Sequence, residues 1–330
     1  MCDNMKKVLI IASGGGHTGH SIALAEHMID LGIEVDFIIP EKDEWTRNSV
    51  KNYGKIVSET PKFLDPSESL YLGILRAPIA IIKSLIKVKK GYKIAIASGS
   101  NHSISAGIAL WLKGSDIIVF ESTERFLEPS RTIKTLGRIS KLIAFQWEEQ
   151  LKFNKKGKVV GPFLGKLKYE IKDEGYILVS AGSYGYKKLF DSLSKTNLEN
   201  VVLQTGKVDP TPYIKAHPEW KVFQFDPDLE KYIANARIVI THFGRTAVES
   251  SLKYKKPTIL SPNIEWKWMQ NETRLKESEI MAKKLNAYYL PPDDVNEESL
   301  INAVEKVRHL VPNSYNDGAL ELAKIVYSML

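Results

Sequence analysis

Short unbroken apolar runs recur along the chain at the spacing of strands that alternate with helices. Val8-Leu9-Ile10-Ile11, Ile94-Ala95-Ile96-Ala97, Ile117-Ile118-Val119-Phe120 and Leu142-Ile143-Ala144-Phe145 mark the first half. Tyr176-Ile177-Leu178-Val179, Val201-Val202-Leu203 and Ile238-Val239-Ile240 mark the second. Runs without polar alternation suit strands covered on both faces, the condition of a parallel sheet. Residues 35–40 read as a strand stopped by Pro40, and 255–262 as one set between prolines. Helices are predicted over 21–31, from about 104 to Trp111, over 228–235 and 270–285, and from 298 onward. Residues 41–66 read as irregular and polar. Residues 70–90 are apolar and basic together, with Pro78 arguing against one continuous helix. Such a segment either lies in a membrane interface or packs on the sheet with a lysine-rich outer edge.

The residues that follow the strands are small and polar. Ser13-Gly14-Gly15-Gly16-His17-Thr18-Gly19 follows the first, Ser98-Gly99-Ser100-Asn101-His102-Ser103 another, and Ala181-Gly182-Ser183-Tyr184-Gly185 opens the second half in the same way. Repetition of strand, small-residue loop and helix in two successive halves predicts an α/β protein of two Rossmann-like domains facing across a cleft, with ligands beyond the strand carboxyl ends. Gly161-Pro162 marks the hinge, giving domains 1–162 and 163–330.

Composition narrows the class. The 330 residues are 43% hydrophobic and 26% charged, as in a folded globular chain. The only cysteine, Cys2, excludes a disulfide frame and a cysteine-rich metal site. Residues 1–162 carry 23 Lys and Arg against 17 Asp and Glu, so the first half holds nearly all of the net charge of +7. That excess suits an anionic surface or substrate.

Gly14-x-Gly16-x-x-Gly19 matches a dinucleotide fingerprint, but the acidic residue expected at the end of the second strand is poorly met by Asp36 or Glu41. His17 is the more specific signal. An imidazole beside exposed backbone donors can accept a hydroxyl proton near neutral pH, whereas His20 reads as a packing residue. In the second half His242, Gly244, Thr246 and Glu249 form a loop-then-helix set. Gly244 permits close approach, Thr246 and the helix start suit phosphate oxygens, Arg245 adds a bidentate grip, and Glu249 can accept from ribose hydroxyls. Ser183, Gln204, Gly206 and Gln270 fall on other loops of the same expected face.

These motifs together resemble a GT-B glycosyltransferase, and more closely the dolichol-pathway transferase that adds a second N-acetylglucosamine to a lipid-linked diphosphate, with acceptor and donor subunits fused in that order as in archaeal counterparts. The bacterial transferase that completes lipid II is a more distant likeness. Gly15-Gly16-His17-Thr18-Gly19, Phe120-Glu121-Ser122-Thr123-Glu124-Arg125 and Phe145-Gln146-Trp147 carry the acceptor-side resemblance. Ser180-Ala181-Gly182-Ser183, Gln204-Thr205-Gly206, Thr241-His242-Phe243-Gly244 and Glu249 with Lys256-Pro257 carry the donor side. The segment between His242 and Glu249 is one residue shorter than in the relatives, and Gln270-Asn271 stands where they carry a paired amide motif.

The resemblance implies UDP-N-acetylglucosamine as donor, a polyprenyl or dolichyl diphosphate N-acetylglucosamine as acceptor, and an inverting β1→4 transfer with His17 as base. It implies acceptor contacts at Gly15, Gly16, Thr18, Ser98, Gly99, Ser100, Ser103, Glu121 and Arg125. Donor contacts would come from Gly182, Ser183, Gln204, Gly206, His242, Gly244, Arg245, Thr246, Glu249, Gln270 and Asn271. No metal or other cofactor and no nucleic acid is expected. The protein would sit at the cytoplasmic membrane face through its N-terminal domain; the oligomeric state stays open. Alternatives are a transferase for another lipid-linked polysaccharide, a UDP-N-acetylglucosamine 2-epimerase, and a non-catalytic sugar-nucleotide-binding subunit.

Overall fold

The computed structural model describes residues 6–64 and 70–330; Cys2 lies outside them. The chain divides into two units, 1–166 with 316–330, and 167–315. The first contains, in chain order, β1 (Lys7–Ile11), α1 (Gly16–Asp30), β2 (Glu34–Pro40), α2 (Glu44–Val50), β3 (Lys55–Thr60), α3 (Leu70–Lys87), β4 (Ile94–Ala97), α4 (His102–Leu112), β5 (Asp116–Phe120), α5 (Arg131–Leu136), β6 (Leu142–Phe145) and β7 (Lys158–Val159). The second contains β8 (Ile177–Ser180), α6 (Lys187–Leu193), β9 (Val201–Gln204), α7 (Thr211–Ala216), β10 (Lys221–Phe223), α8 (Glu230–Asn235), β11 (Ile238–Thr241), α9 (Arg245–Val248), β12 (Thr258–Leu260), α10 (Glu272–Leu285), β13 (Tyr288–Tyr289) and α11 (Glu297–Val307), and α12 (Gly318–Met329) closes the chain.

Both sheets are parallel, ordered β3-β2-β1-β4-β5-β6-β7 and β10-β9-β8-β11-β12-β13. Each therefore reverses direction beside its first strand, at β1/β4 and at β8/β11, where Rossmann-type sheets hold ligands. The apolar runs fill both faces. Val8, Ile10, Phe37 and Ile96 join one core and Leu9, Ile11, Ala97 and Val119 the other. In the second unit Ile177, Val179, Leu203 and Ile240 face α6 and α11, while Leu178, Val202 and Val239 face Ile233 and Tyr254.

Four expectations change. The first helix begins at Gly16, not Ser21, so His17 is a helical residue and the glycine loop shrinks to Gly14-Gly15. Gly15, at φ +68°, supplies the left-handed turn that allows this early start. The polar segment 41–66 holds α2 and edge strand β3: Asp43 caps α2 by accepting from Thr46 N (2.9 Å), and β3 pairs with β2. Helix α3 runs through Pro78 without a break. Finally, the domain boundary falls at Lys166 rather than Pro162, and 316–330 returns to the first unit. Ala319, Leu322, Ala323 and Val326 form a helical stripe buried with Val8, Leu24 and Phe37. Asp317 caps that helix and also accepts from Leu164 N and Gly165 N (both 3.0 Å) and pairs with His27 (2.7 Å). A composition break at Gly161-Pro162 carries no trace of this long-range return.

Candidate active site

In the first unit the loops after β1, β3, β4 and β5 meet at the carboxyl end of the sheet. His102, which sequence reading treated as an ordinary loop residue, ties three of them. Its Nδ1 is hydrogen-bonded to Ser13 Oγ (3.0 Å) and its Nε2 to Thr60 Oγ1 (2.8 Å), with Thr60 O at 3.2 Å. Burial, reinforced by the Lys62 cation, lowers its pKa to about 3. A depressed histidine pKa contributes stability that is complete above the unfolded value of 6.5 and is lost as pH falls toward 3. At pH 5 the loss is about 2 kcal/mol. We expect urea unfolding of wild type and His102→Asn to show a stability gap narrower by about that amount at pH 5 than at pH 7.5. An unchanged gap would show that His102 is not held neutral.

His17 occupies the second position of α1, half-buried, with Nδ1 buried and unpartnered among the described residues. Burial first, then the charges of Arg125 and Lys62, lower its pKa to about 4, so the ring is neutral at pH 7. No side chain caps α1, and Gly15 and Gly16 are exposed there, a setting that favours an anion. Lys62, in the stretch read as irregular, was not anticipated. It is exposed, and its Nζ lies 3.8 Å from where a Cβ on Gly14 would stand.

Several of the expected contact residues are buried and hydrogen-bonded within the loops. Thr18 is fully buried; its hydroxyl donates to Ser13 O (2.9 Å) and is bonded to Thr46 Oγ1 (3.1 Å). Ser98 and Ser103 are buried and bonded to each other (3.2 Å). Glu121 is wholly buried, accepting from Ser122 N (2.8 Å) and Ser130 N (2.7 Å). Burial pushes its pKa to about 7 despite those donors and Arg125. Each was expected to touch the acceptor; their hydrogen bonds tie these buried groups to the loops that shape the site. Gly99 and Ser100 are half-buried, and Arg125 is half-buried beside His17. The Gln-Trp pair explains itself here: Gln146 donates to Glu121 O (2.7 Å) and Trp147 to Thr123 O (2.9 Å), holding the loop that carries Arg125. His20 packs as expected, edge-on to Phe120 and Phe163 and bonded to Thr123 Oγ1 (3.1 Å).

In the second unit the loops after β8, β9, β11 and β12 converge. Gly206, at φ +62°, sits so close to this cluster that a Cβ would lie 2.7 Å from the carbonyl oxygens of Gly182 and Ser183. The His242 ring fills the space between Gly182 and Gly244, where added Cβ atoms would fall 3.0 and 3.1 Å from it. His242 is nearly buried, its Nδ1 has no partner among the described residues, and burial lowers its pKa to about 4. Ser183 and Gln270 are exposed, and Thr246 is half-buried. Gln204 is buried and donates to Ser180 Oγ (3.1 Å). Arg245 donates to Glu249 (2.8 Å), so the two expected ligand contacts satisfy each other in this state. Gln270 and Asn271 are both exposed: Asn271 caps α10 by accepting from Thr273 N (2.8 Å), and Gln270 donates through Nε2 to Ile264 O (3.0 Å). Phe225, 49% exposed, lies just beyond β10, and Trp266 is half-buried on the segment after β12.

Comparison with known proteins agrees with this layout. Residues 176–323 match the Glycosyltransferase family 28 C-terminal domain. A UDP-N-acetylglucosamine–N-acetylmuramyl-(pentapeptide) pyrophosphoryl-undecaprenol N-acetylglucosamine transferase of Clostridium perfringens is 26% identical over 291 residues, covering 78% of this chain and 79% of its own. Among solved structures, Acinetobacter baumannii MurG covers 98% of the chain and 100% of its own length at TM-score 0.67 and 15% identity. A UDP-N-acetylglucosamine 2-epimerase covers 99% and 97% at TM-score 0.65 and 11% identity. The chain thus has the GT-B fold, two parallel-sheet Rossmann-like domains, and it is a glycosyltransferase whose residues 176–323 match the family 28 C-terminal domain.

Proposed function

We propose that the protein transfers N-acetylglucosamine from UDP-N-acetylglucosamine to a polyprenyl diphosphate sugar, with inversion at the anomeric carbon. The observation that carries this reading is the neutral His17 imidazole at the start of α1, whose Nδ1 has no partner among the described residues, with the Lys62 and Arg125 cations near it. The cations and the uncapped helix start suit the acceptor diphosphate, and the imidazole suits a hydroxyl that must lose its proton. The Clostridium perfringens relative bears a name that describes the same donor and a pyrophosphoryl-undecaprenol acceptor. The Glu-Ser-x-x-Arg and Gln-Trp motifs favour N-acetylglucosamine on dolichyl diphosphate as the acceptor, joined β1→4.

In the step itself the acceptor 4-oxygen forms a bond to the donor anomeric carbon. The bond from that carbon to the UDP oxygen breaks, UDP leaves with the electron pair, and the hydroxyl proton passes to His17. Arg245, freed from Glu249 when the ribose hydroxyls engage that carboxylate, can turn to the leaving diphosphate, together with Thr246 and the backbone of the Gly182 loop. The reading needs no metal ion, and the exposed apolar and basic face of α3 serves as the contact with an anionic membrane surface. Among the described residues no helix is long and apolar enough to cross a membrane.

Purified protein given UDP-N-acetylglucosamine and short-chain lipid diphosphates bearing N-acetylglucosamine or an N-acetylmuramyl peptide, with products identified by mass, tests the proposal. We expect transfer to the N-acetylglucosamine acceptor, undiminished by EDTA, and a donor KM raised roughly tenfold by Glu249→Ala, the scale of a lost charged hydrogen bond. Transfer only to the muramyl acceptor would reassign the acceptor. Conversion of the donor alone to its 2-epimer would replace transfer by epimerisation.

A further inference from the structure

Trp266 occupies an unusual position for a large aromatic residue. It is half-buried beside the loops of the second sheet, edge-on to Tyr184 (centroids 5.1 Å, 85°) and to His242 (5.6 Å, 70°). The segment that carries it is clamped from both sides. Buried Asn263 donates to Gly185 O (2.7 Å), the Glu265 carboxylate accepts from Lys187 N (3.0 Å) and Lys188 N (2.9 Å), and Met269 is buried three residues on. Tyr184 is 55% exposed, with the Lys207 ammonium 4.4 Å from its ring centroid. A rigidly held but incompletely buried indole is poorly used as core and well used as a contact surface.

The order of the sheet says which part of a ligand it would meet. Tyr184, His242 and Trp266 follow β8, β11 and β12, whereas Gln204 ends β9 and Phe225 follows β10 on the other side of β8. An elongated nucleotide sugar across these ends has its two termini over opposite halves of the sheet. Gln270, exposed and donating through Nε2 to Ile264 O (3.0 Å), lies on the same segment as Trp266, at the β12 side. The orphaned Nδ1 of nearly buried His242, in edge contact with Trp266, independently marks this side as a place that takes a polar partner.

We propose that Trp266, backed by Tyr184, is the platform on which the hexosyl ring of the donor packs, and so a residue that determines sugar specificity; this rests on reading the second unit as a UDP-sugar site. A pyranose with equatorial substituents presents a flat face of C–H groups to an aromatic ring, while its polar rim is left for an amide such as Gln270. An axial 4-hydroxyl interrupts one such face, so the same platform disfavours the galacto isomer.

The test is binding of UDP, UDP-N-acetylglucosamine and UDP-N-acetylgalactosamine to the full-length protein by calorimetry, without acceptor. Trp266→Ala should weaken UDP-N-acetylglucosamine binding roughly tenfold, the scale of a lost stacking contact. It should leave UDP within about twofold, narrow the preference over the galacto isomer, and be largely rescued in Trp266→Phe. Equal weakening of UDP and the UDP-sugar would make Trp266 a nucleotide contact or a scaffold for the loop and overturn the inference, as would unchanged UDP-sugar binding. Wild-type protein that bound none of the three would instead remove the UDP-sugar reading itself.

Discussion

Replacing His17 by alanine should lower kcat for transfer by about 10²- to 10⁴-fold, the range that a positioned general base contributes, while the donor KM stays within about twofold. The loss falls on kcat because the imidazole accepts a proton only as the acceptor oxygen attacks, and nothing places it against the nucleotide. The protein should remain folded: the ring is half-buried, its Nδ1 makes no hydrogen bond among the described residues, and alanine is a strong helix former near the start of α1. The pH profile gives a second reading. A pKa lowered to about 4 keeps His17 in its base form down to that pH. In the free enzyme, kcat/KM should therefore hold level from pH 7.5 to about 5 and fall only below it. Lys62→Met removes one of the cations that depress the imidazole and should move the acid limb upward. Near-wild-type turnover in His17→Ala would assign the base elsewhere, and an acid limb near 6.5 would mean that the ring is not shielded as the structure has it.

What could be read from the sequence follows from how local each feature is. The strands were legible because a parallel strand buried on both faces must be an unbroken apolar run, as in Val8 to Ile11 or Ile238 to Ile240. Edge strand β3 was not, since Lys55-Ile56-Val57-Ser58-Glu59-Thr60 is mostly half-buried and has a mixed composition. His17, Ser183 and His242 stood out because small residues around a histidine or serine after a strand are local patterns. His102 and Lys62 matter through partners 42 to 89 residues away or through charges that only the fold brings together. The same limit applies at Glu121: a motif gives the residue but not its burial, nor the two backbone donors that hold the carboxylate in place.

Helix α3 poses the choice between membrane face and core edge most directly, and its two faces answer differently. Gly73, Ala80, Ser84 and Val88 are buried, with Gly73 so tight against Leu64 that a Cβ would lie 2.9 Å from that side chain. Leu75, Ile79, Ile82 and Ile86 point outward at helical spacing, exposed by 57 to 78%. Among the described side chains the inner face of this helix is thus built mainly from small residues with Leu85, and four large apolar side chains are left on the surface, with Arg76 and Lys83 on the same helix and Lys89 and Lys90 just beyond it. An apolar stripe in water costs solubility unless something covers it, and a basic border selects an anionic interface. Changing Ile79, Ile82 and Ile86 together to serine removes burial worth about 1 kcal/mol each, taking half of the full side-chain value. Partition onto vesicles containing anionic lipid should then fall roughly 100-fold. Because these side chains are exposed in the folded chain, its thermal stability should hardly change. Lys83, Lys89 and Lys90 changed to glutamine should weaken binding to anionic vesicles in a salt-sensitive way, by about 1 kcal/mol per charge, and leave the weaker binding to neutral vesicles untouched. If the isoleucine variant binds anionic vesicles as wild type does, this face is covered by something other than lipid.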